Sequence, residues 1–272
     1  MKLNISLLII WFSLLAVFGY LLTSPLSESS ILKKLFFENE AIGERGELPQ
    51  KSIINNSNLT GHKNDSSEWT SQSTFLKVPI LFQNPELPNG CEITALTSVF
   101  HYYGYFVDKV EMSDFYLYQS PIIYSNNRRY GPDPNIGYAG SPKDQTGWYT
   151  FAGPIEQAAK IASKSLETNL KTENISGSST EEIDKWINQG VPVIMWVTLN
   201  LEAPNIDGGW YINGTNEFHH SYTNLHAVVL LKSTENEVFV MDPLKGYVKH
   251  KKSTFFQSYE SLNKQAIIIK DF

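Results

Sequence analysis

Cysteine is almost absent: Cys91 is the only one in 272 residues. A single thiol excludes a disulfide framework and zinc or iron–sulfur sites of the CxxC type. A basic excess is missing too. Twenty-two Lys and Arg stand against 28 Asp and Glu, a formal net charge of −6. The chain therefore lacks the positive face with which a nucleic-acid binder holds phosphates. No GxGxxG, GxxxxGK[ST], GxSxG or HExxH occurs, so dinucleotide, phosphate-loop, serine-hydrolase and zincin chemistry have no support. There is no internal repeat. What the chain does have is apolar matter, 42% hydrophobic and 13% aromatic, enough for a core and too much for global disorder.

The longest apolar run is at the N-terminus. Leu3 to Leu22 is uncharged and reaches the roughly 20 residues a membrane span needs. Lys2 precedes it, which favours an inside N-terminus and an outside C-terminus. Residues 1–24 are read as an uncleaved signal anchor. A cleaved signal peptide is the alternative, and Val17-Phe18-Gly19 offers a small-x-small site. No Cys follows closely, which excludes a lipoprotein. Residues 25–74 are rich in Ser, Asn and charge and read as a tether. Within it Ile31–Phe37 is either a short interfacial helix or plain linker. The rest of the chain is expected outside the cytoplasm.

Residues 75–272 are expected to fold as one domain. Ile93, Leu96, Phe100 and Tyr103 recur at helical spacing before Gly104, predicting a helix over 89–103. A second helix is expected from Pro154 to about Ser165. Ser179 and Glu182 form a capping box for a third, ending before Gly190. Strands are expected over 191–199, 226–232, 237–242 and 267–270. Helices first and strands later give an α+β fold with a largely antiparallel sheet. Residues 104–150, with seven tyrosines plus Trp148 and several Pro and Gly, read as a long irregular loop. It either lines a cleft or packs on the core.

The chemistry centres on Cys91, which follows Pro88-Asn89-Gly90 at the start of the first helix. The positive end of a helix dipole favours thiolate over thiol, and Gly90 lets the backbone come close to a ligand. A free cysteine is otherwise a small buried hydrophobe. A nucleophilic thiol needs a base and a group to orient it. In a hairpin centred on Thr234, His226 and Asp242 each lie eight residues from the turn. They would face each other with Cβ atoms about 4.5–5.5 Å apart. A cross-strand pair that only stabilises the sheet is the other reading. Gln83, eight residues before Cys91, has an amide N–H suited to an oxyanion hole.

VPILFQNPELPNGCEITALTSVFHYYG resembles the first catalytic block of papain-like cysteine peptidases, nearest to cysteine peptidase family 39 (bacteriocin-leader peptidases) and its extracellular relatives. LHAVVLLKSTENEVFVMDPLKG resembles the second block. GYAGSPKDQTGWYTFAGPI and PVIMWVTL resemble intermediate blocks, so the likeness covers residues 78 to about 246. It implies a papain-like fold with Cys91 as nucleophile, His226 as base, Asp242 as orienter and Gln83 as oxyanion donor. It implies no cofactor and a peptide or protein substrate. Leader peptidases proper are fused to a transporter ATPase on the cytoplasmic side. This chain has no phosphate loop and points outward. A non-catalytic peptide- or wall-binding module and an acyltransferase on the same thiol are the competing readings. Oligomeric state is left unspecified.

Other candidates are weaker. His219 and His220 invite a metal reading with His226, but they read as part of a polar loop, where exposed imidazoles are commoner. His101 reads as a packed or surface histidine. Glu92 reads as an aid to helix initiation. Arg128-Arg129 is either a carboxylate-binding pair on the long loop or a solvated charge pair.

Overall fold

A computed structural model of the protein describes residues 75–271. The anchor, the tether and the 31–37 segment expected above lie outside the described residues. Among the described residues no helix is long and apolar enough to cross a membrane.

Among the described residues twelve strands and five α-helices follow one another in this order: α1 (Cys91–Tyr102), α2 (Lys109–Tyr116), β1 (Gln119–Ser120), β2 (Ile123–Ser125), β3 (Arg128–Gly131), β4 (Tyr138–Ala139), α3 (Ala152–Ser165), β5 (Lys171–Asn174), α4 (Thr180–Asn188), β6 (Val193–Thr198), β7 (Ile206–Ile212), β8 (Phe218–Tyr222), β9 (Leu225–Ser233), β10 (Glu237–Asp242), β11 (Gly246–Lys251), α5 (Lys252–Ser261) and β12 (Ala266–Lys270). The main sheet has the order β11-β10-β9-β6-β12-β5, antiparallel throughout. A four-stranded sheet, β2-β3-β7-β8, and the parallel pair β1-β4 lie apart from it.

The main sheet is covered on both faces, which explains its composition. Every residue of β6 is buried. Ile194 and Trp196 join α1 and α3 in one core, while Val193, Met195 and Val197 join α4 and α5 in another. A strand packed on both faces reads as one apolar run, not as an alternation, and VIMWV does so. On α4 the box predicted from Ser179 and Glu182 is formed in both directions. Such a cap is worth about 1 kcal/mol, and a fully buried Ile about 1.5–3 kcal/mol. Ile183 and Ile187 therefore hold α4 more than its cap does. The two edge strands carry charge: β5 reads KTEN, and β11 places Lys249 and Lys251 along the other rim.

Helices do not all precede strands, as the sequence suggested. Helix α5 sits between the last two strands. The 104–150 segment is not irregular throughout, for it holds α2 and four short strands. Their brevity, two to four residues each, leaves no period to detect.

Candidate active site

The chain reaches Cys91 through a tight approach. The Leu87 N–H donates to Gln83 O at 2.9 Å and the Gly90 N–H to Leu87 O at 2.9 Å. Gly90 is the N-cap of α1, with φ −111°. A Cβ there would lie 2.7 Å from Leu87 Cβ. Glycine is thus required by the closeness of Leu87, where the sequence had suggested closeness of a ligand. Cys91, at the first position of α1, is 7% exposed and lines a cavity of about 660 Å³.

His226 and Asp242 come from adjacent strands. His226 Nε2 lies 2.7 Å from Asp242 Oδ1, and both residues are buried. The register differs from the one expected. Near the turn Val238 faces Ser233 and Phe239 faces Lys232, whereas beyond it Val240 faces Leu230 and Met241 faces Val229. Leu231 is the surplus residue of a β-bulge. Continued, this register sets Asp242 opposite Val228, so His226 meets it diagonally. The hairpin turns between Glu235 and Asn236, not at Thr234. A regular ladder from that turn would put His226 and Asp242 on opposite faces, because side chains alternate. The bulge restores the parity.

Gln83 is buried, and its Nε2 donates to Pro88 O at 2.6 Å. An amide nitrogen has two hydrogens, so one remains for a ligand in the cavity that Gln83 also lines. Its backbone N–H donates to Pro243 O at 3.0 Å. That bond ties the amide to the residue after Asp242.

Glu92 is the residue whose role the sequence missed. It is buried. The Cys91 thiol donates to its Oε2 at 3.3 Å, and the Thr150 N–H donates to its Oε1 at 3.0 Å. Thr150 is itself fixed twice more: its hydroxyl donates to Pro134 O at 2.9 Å, and its carbonyl accepts the Trp196 indole N–H at 2.8 Å. The only signal was an acid directly after the cysteine, and burial is not written in that adjacency. Burial pushes the Glu92 carboxyl up to about 7, against the pull of the Thr150 N–H.

The thiol departs from expectation. Burial raises the Cys91 thiol well above its usual range, and the Glu92 carboxylate adds to this, while the Ala227 N–H opposes it. The helix start is outweighed by removal from water. Removal from water thus favours the thiol over the thiolate. At Asp242 burial acts upward, but the His226 hydrogen bond and charge, with the Leu244 N–H and Lys245, hold the carboxyl below its usual range.

The aromatic segment does line the cavity, through Ile122, Tyr124, Arg129, Trp148 and Tyr149 among others. His219 lies on β8, not in a loop. Its Nε2 is 2.7 Å from Tyr149 Oη, and its ring packs on Trp210. His101 Nε2 is 2.7 Å from Val107 O. Among the described residues no group of three His, Cys, Asp or Glu forms a metal cluster.

Residues 75–267 match the sequence profile of the peptidase C39 like family. The uncharacterized protein YvpB of Bacillus subtilis (strain 168) is 27% identical over 225 residues, 81% of this chain and 85% of the relative. The crystal structure of a protein assigned as a C39-like peptidase from Bacillus anthracis aligns with a TM-score of 0.63 at 27% identity, covering 74% of this chain and 99% of that one. A double glycine motif protease from an AMS/PCAT transporter, solved with its leader peptide, is more remote, at 17% identity and a TM-score of 0.40 over 74% and 96% of the two chains.

Proposed function

Because the chain belongs to the peptidase C39 like family, we propose that it is a cysteine peptidase in which Cys91, His226, Asp242 and Gln83 do the chemistry. The observation that supports this most is the His226–Asp242 bond of 2.7 Å beside the cavity that Cys91, His226 and Gln83 line together. Asp242 occupies Nε2 of the imidazole, so Nδ1 is the nitrogen left for the thiol.

Burial favours the thiol form, so the proton leaves as the sulfur attacks. His226 Nδ1 takes the proton, and Sγ forms a bond to the substrate carbonyl carbon. Asp242 keeps the imidazole in one tautomer and stabilises the imidazolium. The second Gln83 amide hydrogen and the Cys91 backbone N–H offer the oxyanion two donors. Collapse passes the proton to the leaving amine and leaves a thioester. Water, deprotonated by His226, then releases the acid. We further propose that residues 1–24 anchor the domain and that it works outside the cytoplasm, a reading supported by the charge-free Leu3–Leu22 run.

The test is digestion of a complex peptide mixture by the parent chain and by Cys91→Ala, read by mass spectrometry. Cleavage that vanishes in Cys91→Ala is expected. Cleavage unchanged in that variant removes the thiol from the mechanism.

A further inference from the structure

The cavity wall carries one charge that this mechanism leaves unused. Arg129 lines the cavity together with Cys91 and His226, and no Asp or Glu lines it. This inverts the balance of a chain with 28 acidic and 22 basic residues. Strand register places Arg129, since β3 sets it opposite Tyr124 of β2. Its Nε donates to Tyr124 Oη at 3.1 Å. Its guanidinium lies 5.4 Å from the Tyr124 ring centroid and 5.2 Å from that of Trp148. Both rings lie within cation–π range of the guanidinium, yet neither neutralises it. Among the described residues no carboxylate forms an ion pair with it. With Nε engaged, the terminal N–H groups remain as a fork.

We propose that Arg129 forms a carboxylate subsite of this cavity, selecting peptides with an acidic group near the bond presented to Cys91. The inference rests on the peptidase reading of the cavity. A guanidinium fork matches the two oxygens of a carboxylate in geometry as well as charge. An acidic side chain and a free peptide C-terminus carry that same group. Asn89, Gln145 and Thr146 on the same wall carry no charge and give no reason to prefer one sign.

The experiment labels Cys91 in the full chain in detergent with bromoacetyl amino acids. The thiol displaces bromide, so the rate reports delivery of the label and needs no turnover. Bromoacetyl-glutamate amide carries a side-chain carboxylate, bromoacetyl-glutamine amide carries none, and bromoacetyl-glutamine as free acid carries a terminal one. At least one acidic label should react about tenfold faster than the neutral one, the scale of one charge-assisted hydrogen bond. Which one does so identifies the source. Arg129→Gln should erase the preference. Arg129→Glu should invert it in favour of bromoacetyl-lysine amide, a gain that misfolding cannot imitate. Equal rates for all three labels in the parent, or a preference that survives Arg129→Gln, overturn the subsite. The peptide digest described above is scored separately. Absence of Cys91-dependent cleavage with the labelling preference intact defeats the peptidase reading alone. Cleavage without any acidic preference in labelling defeats the subsite alone.

Discussion

At Cys91 and Glu92 two acids 3.3 Å apart compete for a proton. Ionised Glu92 accepts the S–H and so favours the thiol, whereas neutral Glu92 can donate to a thiolate. A glutamine there keeps the acceptor for the Thr150 N–H and loses the charge. The alkylation midpoint of the resting thiol should therefore lie above that of an ordinary cysteine, and Glu92→Gln should bring it down. A rate-against-pH series with iodoacetamide checks both, and an unmoved midpoint in Glu92→Gln would contradict the coupling. Stability should follow the same group. The Glu92 carboxyl rises from 4.5 to about 7 on folding, so its protonated form belongs to the fold. Its contribution is complete below about 4.5 and is lost as pH rises through 7, a change of about 3 kcal/mol. Urea melts between pH 4.5 and 8 should show that decline in the parent and a flatter profile in Glu92→Gln.

The β9–β10 hairpin makes its prediction at the level of the element. Leu231 is the residue without an opposite number, and its removal turns the bulge into a regular ladder that still brings His226 to Asp242. Removing Val240 from the partner strand instead enlarges the mismatch and separates them. Both are fully buried aliphatic residues, so each deletion should cost roughly 2–5 kcal/mol. Only the Val240 deletion should abolish the His226–Asp242 proton signal by NMR and the thiol-dependent activity. This hairpin also shows how far sequence carries. Alternation and the family blocks were enough to pair His226 with Asp242. The true turn centre and the bulge were not legible, and the pair was found because the two errors in register cancelled to an even number. Helical spacing located α1, a first-turn proline α3 and a capping box α4. The second sheet went unseen because its short strands are chosen by tertiary contacts such as the packing of Trp210 against Trp148, whereas α2 did carry a local signal, the Asp108 cap, that was passed over. Helix α5, with Phe255, Phe256 and Tyr259 buried and no side-chain cap, lacked a start signal.

For the molecule as a whole, the link between the main sheet and the aromatic segment runs through Trp196. Its indole N–H is a buried donor that reaches out of β6 to Thr150, which in turn holds Glu92. Trp196→Phe keeps a ring in the core and strands the Thr150 carbonyl. The expected cost is about 1–3 kcal/mol by urea denaturation. Tyr149 and Trp148, next in sequence and part of the cavity wall, should become more accessible to a fluorescence quencher. A loss of stability without that change would limit Trp196 to filling space.

The lysines on the rims of the main sheet have a further consequence. An open strand edge is a template on which another chain can polymerise. At high local concentration an unguarded rim would seed fibres. Lys171 on one border and Lys249 and Lys251 on the other put charge where a second strand would have to pair, so the folded domain can be concentrated without condensing edge to edge.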